Sequence, residues 1–143
     1  VFGVPRIITH GAALERVVGM ADSPANGITV CTGSLGSLPS NDVPAIIRRL
    51  GSRVHFMHCR NVIVTGERKF HETPHLTECG DVDMLEVFRA LRDISFRGPM
   101  RSDHGRMIWG ETGRPGYGLH DRALGTMYLR GLWEAVSREP VLD

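Results

Sequence analysis

Apolar residues fall at helical spacing in four stretches of the chain, and short β-branched runs stand between them. Residues 10–21 carry Leu14, Val17, Val18 and Ala21 on one helical stripe. Ile28-Thr29-Val30-Cys31 follows as a short strand candidate, entered through Asn26-Gly27 and left through Gly33-Ser34. Asn41 is placed to cap a helix that turns Ile46, Ile47 and Leu50 inward and ends at Gly51. Val54-His55-Phe56-Met57-His58 is the second strand candidate, and about residues 61–80 read as a loop. Asp83 and Glu86 have capping-box spacing for a helix through Ile94. Met84, Val87, Phe88, Leu91 and Ile94 form its apolar stripe, the clearest periodicity in the chain. Pro99-Met100-Arg101-Ser102-Asp103 is the third and weakest strand candidate. A Gly-rich loop over 105–118 leads to a last helix over about 121–137, expected to face inward with Leu124, Met127, Tyr128, Leu132 and Val136.

The order α-βα-βα-βα predicts parallel strands with right-handed crossovers. A doubly wound sheet and a (β/α)₈ barrel both satisfy it. Both long loops follow strands, on the edge where barrel active sites lie.

In a parallel sheet all strand ends meet one rim, and each candidate here ends in a residue able to hold a metal: Cys31, His58 and Asp103. Strand parity puts His58 on the face of Val54 and Phe56, with Met57 and Cys59 on the other. Taken singly, a strand cysteine is usually a small buried hydrophobe, a strand histidine a hydrogen-bonded core residue, and an aspartate before His-Gly a turn former. Together they make a thiolate–imidazole–carboxylate donor set. His104 and Tyr117 are candidate proton-transfer groups, and Tyr117 needs a nearby cation to act as a base. Arg60 and Arg101, beside the donors, can clamp a carboxylate in a fork. His71 and His75 lie in the loop able to close over a ligand.

Composition narrows the classes. Seventeen basic residues against 16 acidic ones give +1, which argues against nucleic-acid or anionic-membrane binding. No apolar run reaches the roughly 20 residues of a membrane helix. Three irregularly spaced cysteines make a disulfide framework a poor fit and favour a reducing, cytoplasmic setting. Five of the seven histidines lie between residues 54 and 105, a weak pointer to metal or proton chemistry. The start, Val1-Phe2-Gly3-Val4-Pro5-Arg6, lacks a signal-peptide shape and an initiator methionine, so a processed or truncated chain is expected.

Several strings together resemble the mannonate dehydratases. They are Asp22-Ser23-Pro24-Ala25-Asn26-Gly27 running on to Cys31-Thr32-Gly33-Ser34-Leu35-Gly36, then Asn41-Asp42-Val43-Pro44, and Gly51-Ser52-Arg53 on to His58-Cys59-Arg60. Phe70-His71-Glu72, His75-Leu76, Gly80-Asp81-Val82-Asp83-Met84, Pro99 to Gly105 and Pro115-Gly116-Tyr117 complete the series. The resemblance implies an α/β fold made of the C-terminal three βα units of a (β/α)₈ TIM barrel, xylose-isomerase-like, over residues 1–143. It implies a lyase that dehydrates D-mannonate, a small sugar acid, to 2-keto-3-deoxy-D-gluconate with Mn²⁺ or Fe²⁺ in hexuronate breakdown. Carried over by motif, Cys31, His58 and Asp103 fall on metal ligands, and His104 and Tyr117 on acid–base residues. Arg101, Arg60, His71 and His75 fall around the substrate. The family's further metal histidine, in a His-Pro-Asp-Asp motif, would precede Val1, as would five strands. Further chain of the same barrel, or a homo-oligomer, is therefore expected as partner. Ser102 stands where proline is common, and the loop around Trp109 departs from the pattern. A metal-dependent sugar isomerase or epimerase, or an inactive remnant, are the competing readings.

Overall fold

The computed structural model describes residues 5–140; residues 1–4, where the chain start was read, and 141–143 lie outside the described residues. Helix α1 (Gly11–Gly19) begins at His10, whose ring Nδ1 accepts from the Ala13 N–H. The Asn26 side chain donates to the Val17, Val18 and Ala21 carbonyls near the other end, which ties the following turn to the helix. Strand β1 (Ile28–Cys31) runs directly into the short helix α2 (Thr32–Gly36). Helix α3 (Val43–Leu50) buries Val43, Ile46, Ile47 and Leu50. Its cap is Asp42, accepting from Ala45 N–H at 2.9 Å, and not Asn41. Asn41 instead donates to the Thr9 and Leu35 carbonyls, fastening the chain before α1 to the end of α2.

Strand β2 (Val54–His58) lies between β1 and β5 (Met100–Arg101), and both pairings are parallel. The chain is thus a mixed α/β fold, with helices α3, α4 (Met84–Asp93) and α5 (Leu119–Val136) packed in sequence order. The core is built from the β-branched strand residues and from the predicted α4 stripe: Met84, Val87, Phe88 and Leu91 are all fully buried. Asp83 caps α4 by accepting from Glu86 N–H, while the Glu86 carboxylate turns to Arg89 instead of closing the box.

Three expectations are corrected. The stretch expected as a loop holds an antiparallel hairpin, β3 (Val62–Gly66) and β4 (Lys69–Glu72). It is pinned by the fully buried Asn61, whose side chain accepts from the Val62 and Val82 N–H groups and donates to the Leu76 carbonyl. The third strand is shorter than expected, because the backbone turns at Asp103 with φ +59°. Helix α5 turns Tyr128, Leu132 and Val136 to the core as expected, but Leu124 and Met127 face outward, and Asp121, Gly125 and Leu129 take the inner face instead. Polar anchoring explains this. Asp121 binds Arg106. At Gly125 the His75 ring comes so close that a β-carbon would overlap it, and these contacts outweigh the burial of one leucine and one methionine.

The buried Thr32 hydroxyl joins the ends of β1 and β2, donating to the Arg60 carbonyl at 2.6 Å and accepting the Arg60 N–H at 2.9 Å. Thr32→Val keeps the shape but leaves both backbone groups buried without partners. In the complete gene product it should lower unfolding free energy by about 1–3 kcal/mol in a urea titration; a change within about 0.3 kcal/mol would show that water replaces the hydroxyl.

Candidate metal centre

Register decides which side chains meet at the rim. Cys31 is paired with His58 across β1 and β2, and His58 with Arg101 across β2 and β5. Two residues past Arg101, Asp103 adopts the left-handed conformation, which aspartate tolerates better than most residues. Its buried carboxylate comes to lie between the other two. Cys31 Sγ is 3.7 Å from Asp103 Oδ2, and His58 Nδ1 is 3.4 Å from Asp103 Oδ1. One donor atom from each of the three residues lies within 4.8 Å of the others. Around one ion with bonds of about 2.0–2.3 Å, donors lie up to about 4.6 Å apart. The three thus come close to the spacing of ligands to a single ion. Cys31 also accepts from Ser34 N–H at the start of α2, which orients its sulfur. Cys59 lies in the hydrophobic core, away from the rim. Burial pushes its thiol well up, with the neighbouring Cys31 and Asp103 acting in the same direction.

Two arginines and a second carboxylate surround the donors. Arg60 Nε is 3.0 Å from Asp103 Oδ2, yet its N–H is not aimed at that oxygen and has no hydrogen-bond partner. The contact is one of charge. Arg60 reaches it by lying across Gly33, where a β-carbon would come within 2.7 Å of Arg60 Cγ. Arg101 Nη2 is 3.4 Å from Asp103 Oδ1 and 3.2 Å from the Asp103 carbonyl. Arg60 Nη1 reaches Glu72 Oε1 at 2.9 Å, and the same oxygen is 2.6 Å from His104 Nδ1. The other ring nitrogen, Nε2, is 3.9 Å from Asp103 Oδ1.

Of the nine residues singled out from the sequence, the structure brings Cys31, His58, Asp103, Arg60, Arg101 and His104 into this one cluster. Tyr117 joins through the backbone: Gly105, next to His104, bridges Tyr117 in parallel and exchanges hydrogen bonds with Gly116 and Gly118. Its ring is half exposed, under the Arg114 guanidinium at 5.0 Å. His71 sits on the exposed hairpin opposite Ile63. His75 takes another place: it is buried, 2.7 Å from the Ser102 carbonyl, and braces the residue before Asp103 from behind. Glu72 was passed over in the sequence. The available sign was a carboxylate beside His71 in a quoted string.

The loop carrying Tyr117 is anchored by Arg106, which gives Asp121 a backbone N–H and two guanidinium contacts at 2.8–3.0 Å. Burial pushes Asp121 up, but the Arg106 hydrogen bonds and charge outweigh it and hold the carboxyl below its ordinary value.

This chain was compared with known proteins. The family described as D-mannonate dehydratase (UxuA) matches residues 1–141. Mannonate dehydratase 2 of Halalkalibacterium halodurans is 58% identical over 139 residues, covering 96% of this chain and 40% of the relative. Mannonate dehydratase of Thermotoga neapolitana is 54% identical over 140 residues, covering 96% and 39%. The crystal structure of mannonate dehydratase from Streptococcus suis serotype 2 superposes with a TM-score of 0.89 at 50% identity, over 96% of this chain and 40% of that one. The chain thus spans about two fifths of the length of the curated relatives it matches.

Because Asp121 is depressed in the folded state, its contribution to stability is fully present above the ordinary aspartate value of about 3.9. It is lost as pH falls through the lower folded value. In the complete gene product, Asp121→Asn should lower the melting temperature at pH 7 and flatten its fall below about pH 5. An unchanged acid limb in thermal melts would detach Asp121 from loop anchoring.

Proposed function

Since the chain belongs to the D-mannonate dehydratase family, we propose that it supplies the metal centre and proton-transfer groups of a lyase converting D-mannonate to 2-keto-3-deoxy-D-gluconate and water in hexuronate catabolism. The observation that carries this reading is the convergence of a thiolate, an imidazole and a carboxylate from three separate strand ends, within 4.8 Å, beside His104. Cys31, His58 and Asp103 would hold the ion. A mixed sulfur, nitrogen and oxygen set suits a borderline divalent metal, and Mn²⁺ or Fe²⁺ is the choice the family implies. When bound, the ion supplies Lewis-acid stabilisation of the charge that develops beside the substrate carboxylate.

The chain's own groups do the rest. Arg101 and Arg60 present guanidinium groups at the rim for the sugar-acid carboxylate, with His71 on the hairpin beyond them. His75 contributes through Ser102 to the placement of Asp103. His104 and Tyr117 share two proton transfers. One removes the proton from the carbon beside the carboxylate. The other protonates the 3-hydroxyl, which leaves as water. The Arg114 guanidinium lies over the Tyr117 ring, 5.0 Å from its centroid, and helps to hold it in place.

The three strand–helix units read as the closing part of a (β/α)₈ barrel. Among the described residues the sheet order is β1-β2-β5, so β1 and β5 each have a free edge. A groove of about 770 Å³ opens along β5, lined by Met100, Arg101, Ser102, Leu129 and Trp133 among others. Eight strands are needed to close a barrel, and further chain of the same barrel is the fitting occupant of those edges. A cytoplasmic setting fits the three free cysteines; among the described residues no helix is long and apolar enough to cross a membrane.

Two outcomes test this reading. The complete gene product containing this chain should dehydrate D-mannonate only with a divalent metal, and chelation should abolish turnover. Ketose–aldose interconversion in place of dehydration would assign it to the isomerases. Tyr117→Phe should lower kcat by about 10²-fold or more, the scale of general acid–base catalysis, with metal content unchanged; full turnover in that variant would remove Tyr117 from the reaction. The 143-residue segment alone should be inactive and fail to melt as a cooperative monomer, as read by size exclusion and calorimetry.

A further inference from the structure

Glu72 has no role in the reading above, yet its carboxylate touches two members of the site. We propose that Glu72 is a positioning residue that holds the His104 ring with its Nδ1 proton toward the hairpin and its Nε2 edge toward the reacting groups. The inference rests on the dehydratase reading for its catalytic consequence, but its structural content stands by itself.

Three observations support it. The Glu72 Oε1 to His104 Nδ1 distance is 2.6 Å, short for a nitrogen–oxygen hydrogen bond. The same oxygen accepts from Arg60 Nη1 at 2.9 Å. Arginine has no acceptor, so an oxygen already taking a guanidinium proton receives the proton of Nδ1 and does not give one. This turns the other ring nitrogen, Nε2, to the rim, 3.9 Å from Asp103 Oδ1. Finally, Glu72 does not belong to a loose surface pair. It is the last residue of β4 and is paired with the fully buried Val62, next to Asn61, which pins the hairpin by three hydrogen bonds. The chain has therefore fixed its acceptor before substrate arrives, and an imidazole held in one orientation needs no search at the moment of proton transfer.

The consequence is an orientation effect, separate from binding. In the complete gene product, Glu72→Leu should lower kcat about 10- to 100-fold, the scale of losing a residue that orients a catalytic histidine. KM and bound metal should change less than about threefold. Glu72→Gln, which keeps an acceptor of the same length, should recover most of the loss. Imidazole ¹⁵N spectra of the metal-free protein read the ring directly. In the wild type, His104 Nδ1 should carry a proton, and in Glu72→Leu the Nδ1 signal should move toward that of a nitrogen only part-time protonated. Should Glu72→Leu fail to fold, the wild-type spectrum with Glu72→Gln still decides. A wild-type Nδ1 without its proton, or a Glu72→Leu spectrum identical to the wild type, would overturn the proposal. So would an undiminished kcat in folded Glu72→Leu. If the wild type shows the expected ring state but no turnover of D-mannonate, the dehydratase reading fails and the positioning of His104 survives.

Discussion

Parallel pairing at β2 fixes where distant parts of the chain meet. Cys31, His58 and Arg101 belong to three strands that end at one level because His58 is paired with Cys31 on one side and with Arg101 on the other, past a register shift at Ile28–Thr29. A slip of one residue would turn His58 to the opposite face of the sheet and bring the buried Met57 to the rim. The Thr32 hydroxyl, bonded to both the N–H and the carbonyl of Arg60, opposes such a slip, since two backbone groups in the dry interior would lose their partners together. Asp103 completes the set by leaving the strand geometry, and its left-handed backbone is tolerable because the carboxylate has Arg60, Arg101 and His58 around it.

Charge around the rim is arranged as a closed circuit. Asp103 and Glu72 supply two carboxylates, and Arg60 touches both while His104 spans the same pair from the other side. Such an arrangement offsets the cost of taking Asp103 out of water. It also leaves Arg60 with an N–H that points at no acceptor. A buried donor of that kind loses about 1–3 kcal/mol relative to a satisfied one, which the nearby Asp103 charge partly offsets.

The parts legible in the sequence are those governed by local period and by sheet topology. The α4 stripe reads directly from 3.6-residue spacing, and the donor triad follows from asking what stands at the end of each strand of a parallel sheet. The hairpin did not read this way. Gly66, Pro74 and a dense set of polar residues give residues 61–80 the composition of a loop. The hairpin has exposed positions along both strands, so no strict alternation marks it. What pins it is the Asn61 side chain, bonded to Val82 and Leu76 far along the chain, and a tertiary contact of that kind leaves no periodic trace. Helix α5 read correctly in its second half, where Tyr128, Leu132 and Val136 pack on the core, but not in its first, for a related reason. Counting apolar residues favoured the face of Leu124 and Met127, whereas the helix is turned by an ion pair at Asp121 and by the flat fit of His75 on Gly125. Hydropathy has no term for either.

The donor set also bears on whether an ion here would build the fold or serve a reaction. Structural ions of the zinc type are closed in by four protein ligands and contribute to folding. Among the described residues three donors are gathered, Cys31 and His58 are partly exposed, and the core beneath them is closed by its own side chains, with Met57, Cys59 and Phe88 fully buried. The strands are joined by backbone pairing and by the Thr32 hydroxyl. An imidazole stands on one side of the rim and two guanidinium groups on the other. With the strand ends tied together in this way, the three donors are not what holds these strands to one another, and an ion that only stapled them would add little.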